Sequence, residues 1–260
     1  MKLFRDSGIV AAPVFSNDEG WLGFVNVFDI MSYIAFFTHF HNEATEGIPE
    51  SFAHLETQVN KVLSISTETA SQLWVGYSFE ETLGSIASRM SSGIHRMLLS
   101  VDDEARLLTQ TDIVKFIYEH DKSGLKDKPL KELGLADTKK ICSVNVNSSA
   151  LVGFRTIYKQ HVSAIAILDD KGKIVGTLSS SDVRVLVTEE DLMGLSLTVK
   201  EFLEKNKIFR SPIAVTANST LGDTMKAVLD GKVHRAWIDD GEGAVYSVVT
   251  LSDIIRLWYN

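Results

Sequence analysis

Four aspartates occupy equivalent positions in four similar stretches of the sequence. The stretches are FVNVFDIM (24–31), LLTQTDIV (107–114), TLSSSDVR (177–184) and VVTLSDII (248–255). In each, a short polar residue precedes the aspartate by three positions, giving the pairs Asn26 and Asp29, Thr109 and Asp112, Ser179 and Asp182, and Thr250 and Asp253. A fixed carboxylate can accept hydrogen bonds from both hydroxyls of a cis-diol, so these four aspartates are candidate ligand-binding residues.

A His-Arg pair lies upstream of two of these aspartates. It reads His95-Arg96 in the second copy and His234-Arg235 in the fourth, where the other copies have Val10-Ala11 and Ser163-Ala164. Arginine can hold two phosphate oxygens at once, and histidine can add a donor, more strongly when protonated. Both pairs are therefore candidate phosphate contacts, supported by six nearby hydroxyls, those of Thr109, Thr111, Ser179, Ser181, Thr250 and Ser252.

The same residue types also favour the start of a helix. A Ser, Thr, Asn or Asp cap contributes about 0.5–2 kcal/mol to stability, and an acidic residue in the first turn complements the helix dipole. The two interpretations are compatible, because a helix start has free N–H groups that can also hold an anion. Capping alone is favoured in the first copy, which has Asn26 and Phe28. Each His-Arg pair could equally be a surface pair at a strand edge.

The elements around each aspartate also repeat. Apolar runs at 11–15, 96–101, 163–168 and 235–238 are each followed by an acidic turn and a second apolar run, which predicts a β-hairpin. Helical patterns precede the hairpins, as in 78–93 and 221–232. The repeating unit is therefore helix, strand, strand, helix, and the first copy lacks most of its leading helix.

The repeat divides the chain into modules and connecting segments. We predict a partial module 1 at 1–37, a polar insertion loop at 38–57, module 2 at 58–120, a linker at 121–140, module 3 at 141–189, and a linker with module 4 at 190–260. The insertion contains His39, His41 and His54. Their irregular spacing and the lack of a nearby cysteine favour a solvated loop over a metal site.

Composition limits the compartment and the partners. The chain has 260 residues, 45% of them hydrophobic, and a net charge of −8, which argues against a nucleic-acid partner. Its one cysteine, Cys142, allows no internal disulfide and fits a reducing compartment. The first residues lack the apolar core of a secretory signal, and the longest apolar run, 27–37, is too short to span a membrane. We expect a cytoplasmic protein without a membrane partner, and leave a nuclear location open.

The repeated motif resembles the cystathionine-β-synthase (CBS) domain. Four copies, with His-Arg pairs alternating with small residues, resemble the gamma regulatory subunit family of AMP-activated and SNF1-related protein kinases. The stretches QTDIVKF (110–116) and KPLKELGL (128–135) are most similar to the plant gamma-like type. The resemblance implies an α/β fold of four tandem CBS modules, in which successive modules form two Bateman pairs and the pairs assemble into a flat disk.

The resemblance also implies a function. In this family, clefts between modules bind AMP, ADP or ATP as regulatory ligands in energy sensing, and the aspartate contacts the ribose. It implies protein kinase catalytic and scaffold subunits as partners. The sequence has no nucleophile–base pair, no metal-spaced cluster and no phosphate-binding glycine loop. We therefore expect a non-catalytic subunit that requires no cofactor.

Two departures from the family pattern leave alternatives open. The animal subunit has an arginine at the position of Val10 and a Lys-Arg pair at the position of Thr111-Asp112. The loss of these cations favours a less charged adenosine ligand, or an interaction scaffold with vestigial clefts. An enzyme is disfavoured because four modules take up the whole chain. Among the candidate sites, the fourth module, with Thr250, Ser252 and Asp253, ranks first, and the first module ranks last.

Overall fold

The computed structural model describes residues 1–18, 20–36, 58–63, 65, 73–78, 81–101, 104–137 and 139–259. The predicted insertion loop at 38–57, with His39, His41 and His54, lies outside the described residues. Within the described ranges, no helix has the length and apolarity needed to cross a membrane.

Each predicted module forms a small α/β unit. Module 1 contains α1 (Lys2–Asp6), β1 (Ala11–Ser16), β2 (Gly20–Asn26) and α2 (Val27–Ala35). Module 2 contains β3 (Leu73–Ser78), α3 (Leu83–Ser91), β4 (Arg96–Val101), β5 (Glu104–Thr109) and α4 (Gln110–His120). Module 3 contains β6 (Ser143–Asn145), α5 (Ala150–Lys159), β7 (Ala164–Leu168) and β8 (Ile174–Ser179). After α6 (Glu189–Met193) and α7 (Val199–Lys205), module 4 contains β9 (Ala214–Thr216), α8 (Leu221–Asp230), β10 (Arg235–Asp239), β11 (Val245–Thr250) and α9 (Leu251–Tyr259). Short 3-10 helices lie at Val59–Lys61, Leu125–Asp127, Ser180–Val185 and Gly194–Ser196.

The predicted hairpins are confirmed in all four modules, with one shared register. The residue at the start of the first strand pairs with the polar residue before the aspartate helix, in the antiparallel pairs Ala11 and Asn26, Arg96 and Thr109, Ala164 and Ser179, and Arg235 and Thr250. A short strand before the leading helix, which the pattern missed in modules 2 and 4, adds a parallel neighbour to three of the hairpins. The register places each His-Arg position beside the start of the following helix.

Two helices differ from their counterparts in the other modules: one is shorter and one is a 3-10 helix. Module 1 opens with the five-residue α1, as the pattern predicted, in the place of the longer leading helices α3, α5 and α8. Module 3 closes with the six-residue 3-10 helix Ser180–Val185, where we expected an α-helix. The 3-10 helix ends because the backbone leaves the helical region at Leu186, with φ −78° and ψ 90°. A new capping box between Thr188 and Asp191 then starts α6.

The modules group into two compact units that alternate along the chain. Unit 1 contains Met1–Ala70 and Cys142–Ser211, and unit 2 contains Ser71–Ile141 and Pro212–Asn260. Within each unit one hydrophobic core joins two modules, module 1 with module 3 and module 2 with module 4. A hairpin with its helices leaves an apolar face uncovered, and here the alternate module covers that face.

Unit 1 is held together by packing between α2 and α5. Met31 of α2 and Phe154 of α5 are 0% and 1% exposed. Phe154 also meets the Phe202 ring edge-on, with 5.8 Å between the ring centroids. A polar contact reinforces the pair, because Arg155 Nε donates to the Ala35 carbonyl at 2.9 Å.

Unit 2 is held together by packing of α9 against α3 and α4. Ile113 of α4 and Ile255 of α9 are almost fully buried. Gln110 Nε2 donates to the Ser252 hydroxyl at 2.8 Å and to the Met90 carbonyl at 3.0 Å. These bonds satisfy a buried amide and connect module 2 to module 4. The Ser252 hydroxyl, a predicted ligand contact, therefore has a structural partner within the unit.

Gly153 allows the close approach of α5 to the sheet of module 3. A Cβ at this position would lie 2.5 Å from Leu178 Cδ2, and Leu178 is fully buried. We predict that Gly153→Ala lowers the free energy of unfolding by about 1–3 kcal/mol, because the overpacked side chain cannot move freely. Urea denaturation measures the change.

Gly84 provides the matched control. It also lies inside a helix, but a Cβ there would be 3.9 Å from its nearest neighbour, Thr82 Oγ1. Gly84→Ala should therefore be neutral or stabilise the fold by up to about 1 kcal/mol through higher helix propensity. If the two substitutions changed the free energy of unfolding equally, the predicted clash with Leu178 would be refuted.

Candidate functional site

All four aspartates lie in the first turn of the helix that follows the hairpin. Asn26, Thr109 and Ser179 form capping boxes with Asp29, Asp112 and Asp182. In the fourth module, Thr250 N donates to Asp253 Oδ2 at 2.9 Å and Asp253 N donates to Thr250 Oγ1 at 3.3 Å. The capping interpretation is confirmed in every module. Ligand binding then depends on the carboxylate oxygen that the cap does not use.

A second repeated bond fixes the position of the His-Arg residues. The backbone N–H of the first helical residue donates to the carbonyl of the residue at the histidine position. The four bonds are Val27 to Val10 (2.9 Å), Gln110 to His95 (3.2 Å), Ser180 to Ser163 (3.0 Å) and Leu251 to His234 (3.2 Å). The residue type at this position therefore determines which side chain stands beside each aspartate.

Asp182 borders a cavity of about 380 Å³ within unit 1. The cavity combines one carboxylate, one hydroxyl, four basic side chains and an aromatic ring. Its lining includes Ser181, Asp182, Arg5, Arg184, Lys207, Arg210 and Phe209. Small-molecule sites typically measure about 300–1,000 Å³ and have a few convergent polar groups on an otherwise apolar wall, so the cavity is large enough for a small ligand.

The Asp182 carboxylate is buried with one oxygen open. Its side chain is 7% exposed, and Oδ2 accepts a hydrogen bond from Ser179 N at 2.8 Å. The nearest cation to Oδ1 is Arg210, whose Nη2 is 3.9 Å away, and no described residue donates a hydrogen bond to Oδ1. Burial raises the pKa of Asp182 to about 6, against the opposing effects of the Ser179 N–H and of Arg210 and Arg184. A buried acceptor without a donor at a cavity wall is an arrangement that a ligand hydroxyl can satisfy.

The side chain of Arg184 is held by the surrounding backbone, and a fixed turn precedes Arg210. Arg184 Nε donates to the Ser181 carbonyl at 2.9 Å, and Nη1 donates to the Ile9 carbonyl at 3.4 Å. Arg210 follows a fixed turn, because the N–H groups of Ile208 and Phe209 both donate to the carbonyl of Leu203 at the end of α7. The four cations are therefore brought to one cavity by separate parts of unit 1.

Sequence analysis missed these four cations. Arg184 lies two residues after Asp182, but Arg5, Lys207 and Arg210 lie outside the repeated motif. One of them could have been suspected from its place in the repeat. Arg210 lies four residues before β9, which begins at Ala214. Val10 and Thr111 replace basic residues of the animal subunit, which predicted weak phosphate binding. This cavity obtains its positive charge from other residues, the four basic side chains of its lining.

In unit 2 the two His-Arg pairs lie near each other. Burial, followed by the charges of Arg96, His234 and Arg235, lowers the pKa of His95 to about 4. Burial, followed by Arg235 and Arg96, also lowers the pKa of His234. Each cation disfavours the charged form of its neighbours, so a bound anion would relieve the repulsion. The predicted phosphate contacts thus form one cluster, which we call the basic cluster (His95, Arg96, His234 and Arg235).

The remaining predicted residues differ in how far their polar groups are already used. Asp253 Oδ2 accepts from Lys139 Nζ at 2.9 Å and from Thr250 Oγ1 at 2.7 Å. Burial alone would raise the pKa of Asp253, but these bonds hold it below its usual value. Asp112 is exposed and accepts a hydrogen bond from Thr109 Oγ1 at 2.6 Å. Thr111 is half-buried beside it. Asp29 is fully buried.

The geometry therefore changes the order of the candidate sites. Asp253, ranked first from the sequence, is ion-paired, whereas Asp182 has an open oxygen. Ser179 and Ser181 belong to the Asp182 site, with 3.0 Å between their hydroxyl oxygens. No cluster of three metal-ligating side chains occurs in the part of the chain that the structure describes.

Comparison with known proteins finds a family model that matches part of the chain. The model of the CBS domain matches residues 131–189 and 199–260, the segments that contain modules 3 and 4. These two segments are similar to the CBS domain. The 5'-AMP-activated protein kinase subunit gamma of Kluyveromyces lactis is 25% identical over 98% of this chain and 80% of its own length. The SNF1-related protein kinase regulatory subunit gamma-like PV42a of Arabidopsis thaliana is 25% identical over 91% of this chain and 75% of its own length.

A solved structure shows that the fold is shared. A protein of Methanocaldococcus jannaschii, proposed to be an archaeal homologue of g-AMPK, superposes with a TM-score of 0.73 at 10% identity, covering 98% of this chain and 90% of its own. The predicted resemblance to gamma subunits is confirmed. The two relatives from Kluyveromyces lactis and Arabidopsis thaliana are named as a gamma subunit of a protein kinase and a regulatory subunit of a protein kinase.

The raised pKa of Asp182 predicts a pH-dependent cost to stability. Its ordinary value is 3.8, so the folded state holds the proton more tightly than the unfolded state between pH 4 and 6. The free energy of unfolding should therefore fall as pH rises through this window, on the order of 2–3 kcal/mol for a shift of about two pKa units. Asp182→Asn should remove this decrease in urea denaturation series.

Ser181→Ala is the control for that experiment, because it alters the same cavity without removing a titrating group. It should keep the wild-type pH profile. An unchanged profile in Asp182→Asn would contradict a buried carboxyl with a raised pKa.

The basic cluster predicts that His95 is neutral at pH 7 and below. In proton NMR titrations its ring should show a midpoint near pH 4. Added inorganic pyrophosphate should move the midpoint upward, because a nearby anion favours the protonated ring. Arg96→Gln should reduce the effect of pyrophosphate. A midpoint near 6.5 that pyrophosphate does not move would refute the proximity of the four basic groups.

Proposed function

We propose that this chain is a regulatory subunit that binds an adenine nucleotide and modulates a SNF1-related or AMP-activated protein kinase complex. One observation carries the proposal. The nearly buried Asp182 carboxylate has an open oxygen at the wall of a cavity that also contains Arg5, Arg184, Lys207 and Arg210.

The chemistry of the cavity matches the parts of a nucleotide. Asp182 Oδ1 accepts a ribose hydroxyl, which supplies the donor that the buried carboxylate lacks. Arg184 and Arg210 offer the planar donor groups that bind phosphate oxygens in pairs. Phe209 and Ile208 offer an apolar surface to the base. With four cations around one carboxylate, we expect affinity to increase from AMP to ADP to ATP.

The basic cluster of unit 2 is a second proposed phosphate contact. Arg96 and Arg235 carry positive charge, whereas burial, followed by the charges of the neighbouring basic residues, lowers the pKa of His95 and of His234. A phosphate there would gain from both arginines and would favour protonation of the histidines. The carboxylate available near the helix starts of this unit is Asp112, because Asp253 is ion-paired.

The proposed partners follow from the relatives. The similar proteins of Kluyveromyces lactis and Arabidopsis thaliana are named as a kinase subunit and a kinase regulatory subunit, and each aligns with more than nine tenths of this chain. We infer kinase catalytic and scaffold subunits as binding partners, and a cytoplasmic or nuclear location where such kinases act. The nucleotides act as regulatory ligands, and no cofactor is required.

Isothermal titration calorimetry with AMP, ADP and ATP tests the nucleotide site. Asp182→Ala should weaken binding by about 10- to 100-fold, the loss expected for a hydrogen bond to a charged group. Arg210→Ala should weaken ATP binding more than AMP binding, since it removes a phosphate contact. Lys171→Ala, in the exposed turn between β7 and β8, is the control and should bind as wild type. Binding weaker than millimolar for all three nucleotides, together with no effect of Asp182→Ala, would reject the site.

The alternative function is an interaction scaffold with vestigial or adenosine-only clefts. The ion pair between Lys139 and Asp253 favours it, because a predicted ribose contact is already occupied. Capture of kinase subunits by wild type and by an Arg96→Ala/Arg235→Ala variant separates the two functions. Equal capture in both, unchanged by ATP, supports the scaffold. Capture that responds to ATP only in wild type supports nucleotide sensing.

A further inference from the structure

We propose that Lys139 is an internal occupant of the fourth-module carboxylate and closes that position to a ribose. The proposal rests on the proposed function for the identity of the ligand, but concerns a different site. Lys139 Nζ lies 2.9 Å from Asp253 Oδ2, and the Asp253 side chain is 14% exposed. Lys139 thereby determines which of the aspartate positions can accept a nucleotide.

The hydrogen bonds of Asp253 leave little room for a diol. Oδ2 accepts three donors, from Thr250 N, Thr250 Oγ1 and Lys139 Nζ, at 2.9, 2.7 and 2.9 Å. Oδ1 faces the guanidinium of Arg256, with Nη1 at 3.5 Å. Each carboxylate oxygen has about two acceptor sites, so Oδ2 is saturated, and a cis-diol that bridges both oxygens can bind only if one of these three donors leaves. The capping bonds belong to the helix start, which makes Lys139 the partner to be displaced.

The backbone near Lys139 is anchored to module 4. Ser247 Oγ donates to the Asp137 carbonyl at 2.6 Å, and Ser247 is fully buried in β11. Two residues earlier, Leu135 is 8% exposed and packs in the core of unit 2. The linker is thus fixed a short distance before Lys139. The ion pair therefore forms from a positioned segment and requires less ordering than a pair between two mobile surface chains.

Arg210 occupies the position equivalent to Lys139 in the segment before β9, but it does not hydrogen-bond its aspartate. Lys139 precedes β6, which begins at Ser143, by four residues, and Arg210 precedes β9, which begins at Ala214, by four residues. Both cations face the aspartate of a helix start within their own unit. Arg210 Nη2 is 3.9 Å from Asp182 Oδ1, outside hydrogen-bond distance, and that aspartate borders the cavity. The position four residues before the strand thus has a lysine that hydrogen-bonds its aspartate and an arginine that does not.

Calorimetry in an Asp182→Ala background tests the proposal, because this substitution removes the proposed unit 1 site. In that background Lys139→Met should bind ADP at least tenfold more tightly than the parent, since Asp253 regains its acceptor sites. Adding Asp253→Ala should abolish the gain. Lys140→Met is the matched control, with the same loss of charge in the same linker, and should give no gain. Thermal denaturation of each variant confirms that it folds.

The outcomes separate this proposal from the proposed function. A gain in Lys139→Met that requires Asp253 supports the internal occupant, even if wild type shows no binding at Asp182. No gain, or weaker ADP binding in Lys139→Met, overturns it, and weaker binding would make Lys139 a phosphate contact instead. The proposed function is judged separately, by the effect of Asp182→Ala alone on the wild-type chain.

Discussion

The capping box at each helix start is the constraint on which the rest of the structure depends. It fixes each aspartate through its N-cap residue, and the hairpin register then places the His-Arg position beside it. A capping carboxylate uses one oxygen for the backbone and leaves the other for a second task. Whether a module can bind a ligand therefore depends on what the rest of the unit brings to each oxygen of this carboxylate. Asp182 and Asp253 have the same local structure but different cations beside them, Arg210 at 3.9 Å and Lys139 at 2.9 Å.

Local features of the fold could be predicted from the sequence. The hairpins, the helix starts and the repeat follow from residues within about twenty positions of each other, as the shared register of Arg96 with Thr109 and Arg235 with Thr250 shows. The α-helix predicted at the end of module 3 is instead a 3-10 helix that ends at Val185, and a second capping box at Thr188 begins α6. The pairing of alternate modules could not be predicted either. Matching apolar faces do not reveal which face covers which.

The candidate site was predictable only in part, for a related reason. The aspartates and the His-Arg pairs repeat and are visible in an alignment of the chain with itself. Arg5, Lys207 and Arg210 occur once each, and the tertiary structure alone brings them to Asp182. Net charge does not reveal such a cavity either. A chain with net charge −8 still gathers four basic side chains around one cavity, because local placement and not the total determines the field that a ligand meets.

The difference between Lys139 and Arg210 shows how a repeated fold can give unequal sites. A lysine ammonium is a compact charge on a flexible stem, so it can approach a single carboxylate oxygen closely and saturate it. An arginine guanidinium is planar and spreads its donors over several atoms, and at 3.9 Å it balances the charge of Asp182 without occupying the open oxygen. The buried aspartate then keeps both a raised pKa and an unused acceptor. Charge compensation and ligand binding thus compete for the same carboxylate, and the residue four positions before the next strand contributes to the outcome.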